Sequence, residues 1–143
     1  MCLEWYRQAM RRNIVKNLTQ LWKEYDYHSI YTVLAEKDYH YTLENIENDF
    51  NKIDSNNKFC YLIYLLSRDY CIKNVLLICN FLIYTDTFFY DIHPVIRMMI
   101  LHAIEFFPTD HLLLEWIIST YDNHPDSPFT REEIAEYKEK IGF

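Results

Sequence analysis

The chain of 143 residues contains a single glycine, Gly142, where average usage of about 7% would place roughly ten. Glycine supplies left-handed backbone, tight turns and close approach to phosphate groups. A chain almost without it has no P-loop, no G-x-G-x-x-G dinucleotide turn and no G-x-S-x-G nucleophile elbow, since each needs backbone that only glycine adopts without strain. Two-residue β-hairpin turns favour glycine as well. The composition therefore directs the chain toward the looser connections that join helices.

The hydropathy pattern agrees. Apolar positions recur at three- and four-residue spacing with no sustained alternation, which predicts an all-α fold of about eight helices in antiparallel pairs. A first helix runs from about Glu4 to Tyr25, with Trp5, Met10, Ile14, Leu18, Leu21 and Trp22 inward and Arg7, Arg11, Arg12 and Lys16 outward. Shorter helices follow over Ser29 to Lys37 and Thr42 to Ile53. The cluster Asp54-Ser55-Asn56-Asn57 reads as a breaker. The most apolar segments, Lys58 to Leu66 and Tyr70 to Tyr84, are expected at the buried centre. Asp91 and Pro94 open a helix to Phe107. Pro108 ends it, and Thr109 or Asp110 caps the next, to about Tyr121. After the loop Asp122 to Pro128, Thr130-Arg131-Glu132-Glu133 is a capping box for a last helix that stops at Gly142.

Within this pattern, Pro94-Val95-Ile96-Arg97-Met98-Met99-Ile100-Leu101-His102-Ala103-Ile104 resembles the second helix of a HEAT-type repeat. There an apolar residue and Arg precede small or apolar residues at the positions held here by Ile100, Ala103 and Ile104. The resemblance implies a short α-solenoid; a globular helical bundle is the alternative. The apolar share of 50% is ample for one domain over residues 1–143. The longest apolar stretch, Val75 to Tyr84, is about half the ~20 residues of a membrane span, and the N-terminal residues lack the pattern of a secretory leader. A cytoplasmic protein is expected.

Residue types that carry catalysis occur without catalytic spacing. Cys2, Cys60, Cys71 and Cys79 form no C-x-x-C pair and read as reduced core thiols. His93, His102 and His111 recur at nine residues, two and a half turns, which puts neighbours on opposite faces and argues against a metal site. His102 and Glu105 could form an acid/base pair, but a structural histidine is the simpler reading. Glu132, Glu133, Glu136 and Glu139 alternate with Arg131, Lys138 and Lys140 as on a solvated face. No cofactor is expected, and the chain reads as a binding protein rather than an enzyme.

Charge is unevenly distributed within a net of −7. Residues 1–23 carry five bases against Glu4, whereas residues 24–57 carry eight acids against Lys37 and Lys52. The basic first helix, with Trp5 and Tyr6, admits an RNA-binding reading, opposed by the acidic remainder. The acidic stretch also holds Tyr25, Tyr27, Tyr31, Tyr39 and Tyr41. Tyrosines supply large contact area with few rotatable bonds, and carboxylates around them select a cationic partner. Asp26, Tyr27, Tyr31, Glu36, Asp38, Tyr39 and Tyr41 are therefore the candidate partner-binding residues, with Asp122 and Asp126 of the last loop as a second contribution.

An acidic, tyrosine-bearing, glycine-poor helical chain without a catalytic constellation resembles the immunity proteins of bacterial toxin/immunity pairs, including those of contact-dependent growth inhibition. The resemblance implies a chain, monomeric when free, that blocks one cationic toxin domain, often a nuclease. The shortness of the apolar stretches predicts no membrane partner, and the acidic charge of the chain disfavours a nucleic-acid one. Two other readings stand beside the immunity one, a helical-repeat adaptor or immune-evasion interaction protein and an RNA-binding protein.

Overall fold

The computed structural model describes residues 18–35, 53–85 and 91–143. Among these the structure is all-α, with no strand. The described helical segments are residues 18–23 (α1), Tyr27–Ala35 (α2), Ser55–Arg68 (α3), Ile72–Tyr84 (α4), His93–Phe106 (α5), His111–Tyr121 (α6) and Arg131–Lys140 (α7). That is seven helices against an expected eight. The expected helix over residues 42–53 lies outside the described residues except for Ile53, which is in a bend. No helix among them is long and apolar enough to cross a membrane.

The chain divides into two compact units, Met1–Leu65 and Leu66–Phe143. In the first, Leu18, Trp22, Ile30 and Tyr61 form a buried cluster, with Leu21, Tyr27, Tyr31, Val33, Leu34 and Ile53 packed on its edge. Two of the inward residues expected on the first helix, Leu18 and Trp22, are thus core, and Leu21 is half-buried.

Three local stops and starts shape this unit. Helix α1 ends two residues before the expected Tyr25, in a Schellman motif: the Asp26 N–H donates to the Leu21 carbonyl at 3.0 Å and the Tyr25 N–H to that of Trp22 at 3.2 Å. This geometry places Tyr25 in left-handed backbone, at φ 57°. Asp26 then caps α2, accepting from the Ser29 N–H at 3.2 Å and the Ser29 hydroxyl at 2.8 Å. The expected breaker at 54–57 is instead the start of α3. Asp54 accepts from the Asn57 N–H at 2.9 Å, and Ser and Asn are tolerated in a first turn whose N–H groups lack helical partners anyway.

In the second unit, α4 is the central helix. Ile72, Val75, Leu76, Ile78, Cys79, Phe81 and Leu82 are all buried, and α4 packs on both α5 and α6. It runs antiparallel to α5, since the Tyr70 ring just before α4 meets His102, Phe106 and Phe107 at the end of α5. By contrast α3, expected to share the buried centre, buries only Asn57, Lys58, Tyr61 and Leu62 and leaves Ile63 exposed. Its apolar residues cover more of the helix surface than its one packed face needs.

The HEAT-like pattern describes the inward face of α5: Ile96, Ile100 and Ala103 are buried and Ile104 half-buried. Asp110, rather than Thr109, caps α6 by accepting from the Leu113 N–H at 3.0 Å. The capping box of α7 forms as expected between Thr130 and Glu133. Gly142, at φ 71°, closes α7 in a second Schellman motif, the Phe143 N–H donating to the Lys138 carbonyl at 2.9 Å. Of the cysteines expected in the core, Cys79 is buried, Cys71 is half-buried and Cys60 is exposed. Cys60 faces outward for the same reason as Ile63.

Candidate functional site

In the first unit, α1, α2 and α3 assemble an aromatic cluster that is buried at one end and open at the other. At the closed end, Trp22 meets Tyr61 edge-on at 5.2 Å and Tyr27 at 6.4 Å. Burial pushes the Tyr61 hydroxyl well above the usual tyrosine range. Asn57 ties the three helices together: its Nδ2 donates to the Trp22 carbonyl at 3.0 Å, and its Oδ1 accepts from the Tyr27 hydroxyl at 2.6 Å. Desolvation pushes Tyr27 up to about 12, so it is a neutral donor at any physiological pH.

At the open end, Tyr64 of α3 packs edge-on against Tyr31 at 6.2 Å and against His28 at 6.4 Å. The Tyr64 hydroxyl lies 2.8 Å from His28 Nδ1. Tyr25, beside this cluster in sequence, is 62% exposed.

The sequence-derived residues separate in role. Asp26 is the α2 cap, and its bonds from Ser29 hold its carboxyl below the usual carboxylate range. Tyr27 and Tyr31 are half-buried and share the aromatic cluster. Glu36, Asp38, Tyr39 and Tyr41 lie outside the described residues. Asp122 and Asp126 belong to the second unit. Asp122 pairs with Lys138 at 2.6 Å, while Asp126 is exposed and donates its backbone N–H to His124 Nδ1 at 3.0 Å.

Tyr25 counts among the tyrosines of the acidic stretch but not among the candidate residues, and His28, Asn57 and Tyr64 are not among them either. For Tyr25 a signal existed. A helix ending near Lys23 and an Asp26 cap leave room for one left-handed residue, and no glycine is there to take it.

The second unit carries a cleft of about 560 Å³ between the 122–130 loop and one face of α7, with Asp122, Asn123, His124, Arg131 and Lys138 among its lining. Nearby, His93 Nδ1 lies 2.9 Å from the buried Tyr121 hydroxyl, and His93 and His124 rings are 5.6 Å apart. His102, the candidate acid/base partner of Glu105, packs its ring between Tyr70 and Phe106. Among the described residues no three His, Cys, Asp or Glu side chains gather as metal ligands.

Comparison of the chain with protein families, curated proteins and solved structures finds no match to any of them.

Proposed function

We propose that this chain is a non-enzymatic protein-binding inhibitor of the immunity type, which engages a cationic toxin domain through the tyrosine-rich region around α2. One observation carries the reading. Tyr25, 62% exposed, occupies left-handed backbone at the stop of α1, where a bulky side chain costs on the order of 1 kcal/mol and glycine would be the ordinary residue. Strain of this kind at an exposed aromatic is what a binding anchor would retain against the interest of stability.

Chemistry supports the rest. Eight acids in residues 24–57 supply a field that steers a basic partner, while tyrosines bring contact area at low rotamer cost. Asn57 and the Asp26 cap fix the backbone that presents them, which lowers the ordering cost of association.

The test is co-expression with a toxin encoded beside this gene, scored by survival. Wild-type chain is expected to protect, and Glu36→Lys/Asp38→Lys to protect less, with slower association and weaker salt dependence. Full protection by the charge-reversed variant would remove the interface from this region. Recovery of RNA, released by nuclease, in place of a basic protein on affinity purification would overturn the reading in favour of nucleic-acid binding.

A further inference from the structure

We propose that the cleft of the second unit is a binding site for a small arylcarboxylate, independent of the protein-binding region. The starting point is a segregation of charge along α7. That helix carries Glu132, Glu133, Glu136 and Glu139 against Arg131, Lys138 and Lys140, yet the side it turns to the cleft consists of Arg131, Ile134, Ala135 and Lys138. These positions follow the i, i+3, i+4, i+7 spacing of one helical face. None of the four acids lines the cleft, and two of the three bases do. In a chain of net charge −7, the cleft is a local positive concavity.

The charge it offers to a ligand is close to one. Lys138 is already paired with Asp122 at 2.6 Å. The Arg131 guanidinium has no hydrogen-bond or ion-pair partner among the described residues, nor has the Asn123 amide, although both line the cleft. His124 accepts the Asp126 N–H on Nδ1 at 3.0 Å, which places the proton of its neutral ring on Nε2 and leaves a donor there. One free planar fork suits a carboxylate, which it can grip through two parallel bonds. A phosphate monoester, with nearly two charges at neutral pH, would want a second free cation.

The body of the ligand follows from the apolar part of the cleft. Tyr121, Phe129 and Ile134 are the buried apolar residues of its lining, the Tyr121 and Phe129 rings 5.6 Å apart and tilted 53° to each other. An aryl ring can pack edge-on or offset against the part of one of these rings that the cleft exposes, with Asn123 and His124 in the same lining to meet a polar substituent. The volume of about 560 Å³ falls within the roughly 300–1,000 Å³ of small-molecule clefts.

The frame is held before any ligand arrives. Arg97 Nη1 donates to the Pro128 carbonyl at 3.0 Å and to Glu133 Oε1 at 2.8 Å. The Ser127 hydroxyl bonds both the Phe129 carbonyl and its N–H. The capping box already occupies the α7 N-terminus, so the site consists of side chains.

The experiment is an amide and side-chain NMR titration of the full chain with 4-hydroxybenzoate, benzoate, lactate and inorganic phosphate at equal concentrations. Saturable shifts at Asn123, His124 and Arg131 are expected with the two aryl acids, strongest with 4-hydroxybenzoate. Arg131→Gln should weaken them at least about tenfold, and Ala135→Trp, which fills the cleft from an exposed position, should abolish them. Circular dichroism monitors the fold of both variants. No saturable shift with either aryl acid, equal binding by Arg131→Gln, or phosphate or lactate binding as well as benzoate would overturn the assignment.

Discussion

Arg97, in the first turns of α5, reaches Glu133 in the first turn of α7 at 2.8 Å and with the same nitrogen holds the Pro128 carbonyl at 3.0 Å. The guanidinium also lies 5.3 Å from the centre of the Phe129 ring. Glu133 meanwhile accepts the Thr130 N–H at 3.0 Å. One carboxylate therefore closes the α7 capping box and joins α7 directly to α5, while Arg97 also holds the loop between α6 and α7.

This arrangement makes the second unit sensitive to acid. The Arg97 hydrogen bond, above all, holds the Glu133 carboxyl below the usual carboxylate range, with the Thr130 contacts acting in the same sense. A folded-state value below the unfolded one means that the unfolded chain binds the proton more tightly. The stabilisation is then complete above the ordinary value of about 4.3 and is lost as pH falls through the lower folded value. Glu133→Gln should cost about 1 kcal/mol at neutral pH, given the partial exposure of the pair. It should also flatten the acid limb of stability against pH, measured by urea denaturation across that range.

Among the described residues of the first unit, Asn57 should be the most sensitive polar position. Its side chain donates to Trp22 and accepts from Tyr27 in a buried setting, so Asn57→Ala leaves two partners unsatisfied and should cost about 2 kcal/mol. Asn57→Asp keeps the acceptor but loses the donor and brings a charge into the site, and should be no better. Equal stability of either variant and wild type in urea would mean that water replaces both bonds.

How far the fold was legible can be judged from these residues. Periodicity gave the helical class, and Pro94, Asp110, Thr130 and Gly142 marked their helix ends, because Asp110, Thr130 and Gly142 act through bonds within a few residues of themselves and Pro94 through its fixed φ and missing N–H. Asn57 was misread since its neighbours Asp54, Ser55 and Asn56 are turn formers by composition. Only the Asp54 bond to the Asn57 N–H turns them into a helix start. The exposure of Cys60 and Ile63 depends on how many faces of α3 find a partner, which no local pattern encodes. The candidate region was legible as a tyrosine-rich acidic stretch. That Asp26 serves a cap and Asp122 a lysine depends on partners the periodicity did not identify.

The cysteines offer a chemical check on burial. Desolvation pushes Cys79 up to about 12, which leaves very little thiolate at neutral pH. A variant retaining Cys79 alone should react with a disulfide reagent only as fast as the second unit opens, whereas one retaining Cys60, which is exposed, should react at once. Rapid native labelling of Cys79 would show that the α4 core opens locally.

Tyr25 and Gly142 occupy the same position in two Schellman motifs, at φ 57° and 71°, and therefore respond oppositely to substitution. At Gly142 nothing lies within 4 Å of an added Cβ, so Gly142→Ala meets only the backbone penalty of left-handed geometry, on the order of 1 kcal/mol. At Tyr25 the penalty is already present. Tyr25→Gly should stabilise the first unit by roughly 0.5 kcal/mol, the relief being partly offset by the greater freedom of glycine in the unfolded chain. If Tyr25 anchors a partner, the same variant should protect less well in co-expression despite its greater stability. Tyr25→Asn, which tolerates left-handed backbone but lacks the ring, should behave likewise. Loss of stability in Tyr25→Gly would show that the ring supports the fold and that Tyr25 is not a strained residue kept for binding.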